Sequence, residues 1–140
     1  MKQIYDFNID VKEIEKILSL KSAFLFGSRQ LGVHGKKSDF DIGLLIDDIP
    51  EEYMYCLTSG RMLENYMRVL PSKDCSSIFR INTHRGFDLL VFREKSHYNV
   101  FKDATEYVNT LDPETQRTKK DRIRIFEEAL ISRGWVRLKD

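Results

Sequence analysis

Cysteine is scarce in this chain: only Cys56 and Cys75 occur, neither with a second cysteine at metal-ligand spacing. That argues against a zinc framework or a disulfide scaffold, and makes a reducing, cytoplasmic setting the expectation. Long hydrophobic runs are missing as well. No apolar stretch approaches the ~20 residues of a membrane-spanning helix, and the N-terminal residues lack a secretory apolar core, so no membrane partner is expected. Charge of one sign is also lacking, with 23 Lys and Arg against 22 Asp and Glu and a net charge of +1. That balance removes any whole-chain case for nucleic-acid binding, which stays a secondary expectation confined to local patches. Three prolines and seven glycines form no linker, and the chain has no repeat or low-complexity segment. Its 140 residues suit one core, so a single domain over residues 1–140 is expected.

What the chain does have is a 41% hydrophobic fraction, a 32% charged fraction, nine Phe and six Tyr, the composition of a globular protein. Asp10 followed by Glu13 resembles a capping box, and Val11, Ile14, Ile17 and Leu18 keep helical spacing, which predicts a helix over about residues 10–19. Residues 22–26, 40–46 and 87–92 read as strands, and residues 77–81 as a weaker one pairing with the last. Residues 51–70 are mostly helical in composition. Asp112-Pro113 signals a helix start, Ile123, Phe126 and Leu130 continue an apolar stripe, and Gly134 ends it, predicting a C-terminal helix at about 113–133. Strands interspersed with helices point to an α/β or α+β fold.

The chemistry concentrates between Phe24 and Ile46, "FLFGSRQLGVHGKKSDFDIGLLI". Alternation along a strand puts Asp39 and Asp41 on one side and Phe40, Ile42, Leu44 and Ile46 on the other, which reads as the core face. Two neighbouring carboxylates repel unless a cation compensates, and an oxygen-preferring divalent ion, Mg²⁺ or Mn²⁺, suits them. Asp88 in "GFDLLVF" is a third acid in an apolar run, able to complete a cluster if its strand lies alongside. Gly27-Ser28 directly follows the first strand, where a glycine turn presents free N–H groups to phosphate, with Arg29, Lys36 and Lys37 nearby.

Gly27-Ser28, ten intervening residues and then Asp39-Phe40-Asp41 together resemble the signature of the nucleotidyltransferase superfamily to which DNA polymerase beta belongs. The fuller string "FGSRQLG…SDFDIGLLI" is most similar to the minimal nucleotidyltransferases, whose common form is close to FGSRARG…SDIDL. Gln30-Leu31 stands where Ala-Arg is usual. The resemblance implies a small mixed sheet with flanking helices. It implies that Asp39 and Asp41 coordinate metal ions bridging a nucleoside triphosphate, and that Gly27, Ser28 and Arg29 hold its phosphates. Asp88 would bind the catalytic metal and help activate an acceptor hydroxyl.

The expected function is therefore metal-dependent transfer of a nucleoside monophosphate from a triphosphate such as ATP to an acceptor. A protein hydroxyl, as in toxin–antitoxin pairs, is the first expectation, with small molecules and RNA ends as alternatives. The rival from another class is a non-catalytic nucleotide- or protein-binding module that keeps the fold. His34 and His84 read as surface or turn residues. The five basic residues of "RTKKDRIRIF" read as the polar face of an amphipathic helix.

Overall fold

The computed structural model describes residues 9–27, 39–59 and 67–138. Helix α1, Val11–Leu18, starts where expected: the Asp10 carboxylate accepts from the Glu13 N–H at 3.1 Å. The reciprocal half of the box is replaced by a tertiary contact, because the Glu13 carboxylate accepts from the Tyr53 hydroxyl at 3.2 Å. Strand β1 is Phe24–Phe26 and β2 is Phe40–Leu45. A 3-10 turn and the short helix α2, Met54–Ser59, follow, then β3, Val69–Leu70. Strands β4, Ile78–Asn82, and β5, Phe87–Phe92, form the hairpin expected from a weaker strand signal at residues 77–81 and an apolar run at 87–92.

Helix α3, Lys95–Asn109, is the longest among the described residues and lies outside the sequence-based expectations, although Tyr98, Phe101, Thr105 and Val108 recur on one face. The Asp112-Pro113 signal opens only a 3-10 turn, Pro113–Gln116. Helix α4, Lys119–Ser132, has its own cap, the Thr118 hydroxyl accepting from Asp121 N–H. It ends in a Schellman pattern, Gly134 N–H to Ile131 O and Trp135 N–H to Leu130 O. Strand β6, Val136–Arg137, then pairs with β3. No helix among the described residues is long and apolar enough to cross a membrane.

The main sheet runs β1-β2-β5-β4, with β2 and β5 parallel and both outer pairings antiparallel. All six residues of β5 are buried, as befits an interior strand covered on both faces. On one face Ile42, Leu44, Leu89 and Val91 pack with Ile14 and Ile17 of α1. On the other, Phe26, Leu90 and Phe92 pack against α3 and α4. This corrects the expectation of a single core face on β2: beyond Asp41 the acid-bearing face is apolar too. At Gly43 the Phe24 ring lies 2.6 Å from where a Cβ would stand, so only glycine lets it close over the strand. Phe101 anchors that layer, its ring 4.9 Å from Phe26, 5.3 Å from Phe92 and 5.0 Å from Phe126. Such aromatic pairs contribute roughly 0.5–1.5 kcal/mol each beyond area burial.

Candidate functional site

The site grows from the ends of three adjacent strands. β1 finishes at Phe26, the register partner of Asp41, and the chain turns at Gly27 with φ +84°. A Cβ at Gly27 would fall on the Asp41 carboxylate, 3.3 Å from its Cγ. Glycine is therefore needed twice over, for the left-handed backbone and for the close approach. Ser28 and Arg29, expected to share phosphate contact with Gly27, lie outside the described residues, as do His34, Lys36 and Lys37.

Asp41 of β2 and Asp88 of β5 are register partners in the parallel pair. Neighbouring strands run about 5 Å apart and register partners point to the same face, so these two acids stand side by side. Asp39, two residues earlier, is exposed just before β2 begins. The sequence-based expectation of adjacency between the Asp39-Asp41 strand and the Asp88 strand thus matches the sheet order.

Asp88 is only 6% exposed. Arg80 on β4 donates from Nη2 to its Oδ2 at 2.8 Å. Burial pushes the Asp88 pKa up, Arg80's hydrogen bond and charge pull it down, and Asp39's charge pushes it up again. His84 also pulls downward, but burial prevails and the carboxyl titrates above its ordinary value. Its second oxygen, Oδ1, is buried with no hydrogen-bond partner among the described residues. A buried, unmatched carboxylate oxygen is costly and calls for a cation or donor.

Asp41 and Asp88 share one face, and Asp39 precedes the strand, its charge acting on Asp88. Among the described residues no group of three or more His, Cys, Asp or Glu side chains is arranged to hold a metal ion. Arg80 takes one oxygen of Asp88, and Asp39 sits out at the strand entrance. The residues present nonetheless fit a divalent cation, because the donors are carboxylates and Asp88 Oδ1 lacks a partner among the described residues. Asp41 and Asp88 are the pair able to hold it, with Asp39 able to join from the rim.

Sequence reasoning missed two contributors. Arg80, in "SIFRI", was passed over as part of a strand, although an arginine between Phe79 and Ile81 needs an acid partner when half-buried. His84, read as a turn residue, does occupy the β4–β5 turn, with φ 60°, and its N–H donates to Asn82 Oδ1 at 2.9 Å. It is also close enough to Asp88 to act on its charge.

Beside the acids opens a cavity of about 500 Å³ between the sheet end and helices α3 and α4. Gly27 and Asp41 form part of its wall, and Phe26, Phe101 and Phe126 are among its apolar lining. That volume is within the ~300–1,000 Å³ range of small-molecule sites.

No curated protein matches the chain. Residues 10–133 match the family model described as a nucleotidyltransferase domain. That span runs from the cap of α1 to the end of α4 and takes in Gly27, Asp41 and Asp88, so the chain belongs to the nucleotidyltransferase domain family.

Proposed function

We propose that the protein is a metal-dependent enzyme that moves a nucleoside monophosphate from a nucleoside triphosphate to an acceptor hydroxyl. The observation that carries this reading is the side-by-side register of Asp41 and Asp88, with one buried Asp88 oxygen unmatched among the described residues. Membership of the nucleotidyltransferase domain family supports it. Mg²⁺ or Mn²⁺, held by Asp41 and Asp88 with Asp39, would neutralise phosphate charge and polarise the α-phosphate. Gly27, Ser28 and Arg29 are the proposed phosphate contacts. The acceptor oxygen forms a bond to the α-phosphorus while the α–β bridging P–O bond breaks, and the electron pair leaves on pyrophosphate. The acceptor proton passes to the Asp88 carboxylate.

A protein hydroxyl in the cytoplasm is the proposed acceptor, as in toxin–antitoxin pairs. The test is incubation with α-³²P nucleoside triphosphates, Mg²⁺ or Mn²⁺, and a lysate of the source cells. A protease-sensitive labelled band that disappears with Asp39→Ala/Asp41→Ala supports the full reading. A labelled RNA band replaces the acceptor. The second reading, a non-catalytic binding module, is favoured by one observation, the Arg80 guanidinium already seated on Asp88. Absence of label under either metal, with nucleotide binding retained, would select it.

A further inference from the structure

We propose that Lys119 and Arg122, near the start of α4, grip the triphosphate from the wall that α4 gives to the cavity Asp41 also lines. This rests on the nucleotidyl-transfer reading and assigns part of its substrate site to the basic C-terminal segment. Both side chains line the same cavity as Gly27 and Asp41. Their spacing, three residues apart, puts them on one helix face together with Phe126 and Leu130, which also line it.

The pattern of ion pairing on α4 separates this face from the outer one. Arg124, turned outward, is matched by Asp121 at 3.7 Å and Glu128 at 3.6 Å. The cavity's third cation, Arg68, is matched by Glu127 at 3.8 Å. Lys119 has no acid partner among the described residues, and neither has Arg122, which donates instead to the carbonyls of Arg117 at 2.8 Å and Gln116 at 3.4 Å. Those two bonds orient the Arg122 guanidinium without neutralising it.

A polyphosphate is the ligand chemistry that this arrangement fits. Its charge is compensated on one side by the cation that Asp41 would hold, and on the other by two unneutralised basic groups. Phe26, Phe101 and Phe126 in the same lining offer apolar surface to a base or sugar face. Lys119 and Arg122 then meet the negative charge that grows on pyrophosphate as the α–β bond breaks.

The experiment measures binding of an α,β-methylene nucleoside triphosphate in Mg²⁺ by calorimetry, at two salt concentrations. Lys119 is exposed, so Lys119→Ala and Lys119→Glu are expected to fold normally. Lys119→Ala should weaken binding by roughly tenfold, Lys119→Glu by more, and both should flatten the salt dependence. Binding of the nucleoside without phosphates should not change. Arg122→Lys, which keeps the charge but not the fork, should show an intermediate loss. Lys120→Ala, a neighbour outside the cavity lining, serves as control. Unchanged analogue affinity in Lys119→Glu overturns the assignment while leaving nucleotidyl transfer standing. So does normal analogue binding with impaired labelling of the acceptor, which would give the two cations to the acceptor. A wild-type protein that binds no triphosphate analogue removes the parent reading itself.

Discussion

Arg80 on β4 and Asp88 on β5 meet at 2.8 Å through Nη2 and Oδ2, diagonally across an antiparallel pair, while Asp88 Oδ1 stays buried without a partner among the described residues. Half of this carboxylate is thus satisfied by the protein and half is not. Removing the guanidinium leaves a buried charge uncompensated. Arg80→Ala should therefore lower unfolding free energy by about 2–4 kcal/mol in urea titrations. The double change Arg80→Met/Asp88→Leu should recover most of that loss, since an apolar pair needs no counter-ion.

Asp41→Asn and Asp88→Asn are expected to lower transfer activity by on the order of 100-fold or more. Asp41→Asn keeps the shape and a hydrogen-bonding group, so its circular dichroism and melting temperature should change little. Asp88→Asn takes the counter-charge from Arg80 and should lower the melting temperature, while circular dichroism at the assay temperature stays that of the folded protein. Chelation by EDTA should abolish labelling by the wild type, with recovery on adding Mg²⁺ or Mn²⁺.

Burial holds the Asp88 carboxyl of the metal-free protein above the ordinary aspartate value, while the Arg80 guanidinium pulls it down. An NMR titration of the metal-free protein should therefore show Asp88 deprotonating at higher pH than a solvent-exposed aspartate, and Arg80→Gln should move that step further up. Adding Mg²⁺ should move it down, because a bound cation favours the carboxylate. A step unmoved by Mg²⁺ would remove Asp88 from the metal ligands.

Gly27→Ala places a Cβ against the Asp41 carboxylate in a backbone with φ +84°. The cost should be about 1–3 kcal/mol of stability. Triphosphate affinity should fall with it, because the carboxylate must move. Both are read from one ligand-dependent thermal shift series.

Tyr53 offers an alkaline test away from the site. Burial, helped by the negative charge of Glu13, pushes its pKa up to about 12, against an ordinary value of 10.0. The folded state therefore holds the proton where the unfolded state releases it, and the unfolded state binds fewer protons between those values. Stability from Tyr53 is complete below pH 10 and is lost as pH rises toward 12. Tyr53→Phe should flatten the slope of unfolding free energy over that window.

Local patterns made several parts of this protein legible. Asp10 caps α1 because its short side chain reaches the Glu13 N–H, an interaction within one turn. Short apolar runs located β2 and β5, and "FDLLVF" became a strand at the residues that run names. Less was legible where two signals competed. Asp112-Pro113 is a genuine start, but of a 3-10 turn, since Thr118 supplies a second cap that α4 uses. In α3 the apolar positions sit among Lys95, His97, Lys102 and Glu106, which diluted the helical period.

Residue type and spacing alone determined that Gly27 would be followed, further along the same segment, by acids at the mouth of a strand, because both are properties of a short continuous segment. Only tertiary structure decided that Asp41 would stand beside Asp88, that Arg80 would take one of its oxygens, and that Lys119 and Arg122 would turn into the same cavity. Register between distant parallel strands is set by burial of Ile42, Leu44, Leu89 and Val91 on one face and of Leu90 and Phe92 on the other. A shift by one residue would exchange those faces, and with them the acids. That constraint belongs to the packed layers and is written in no single stretch of the chain.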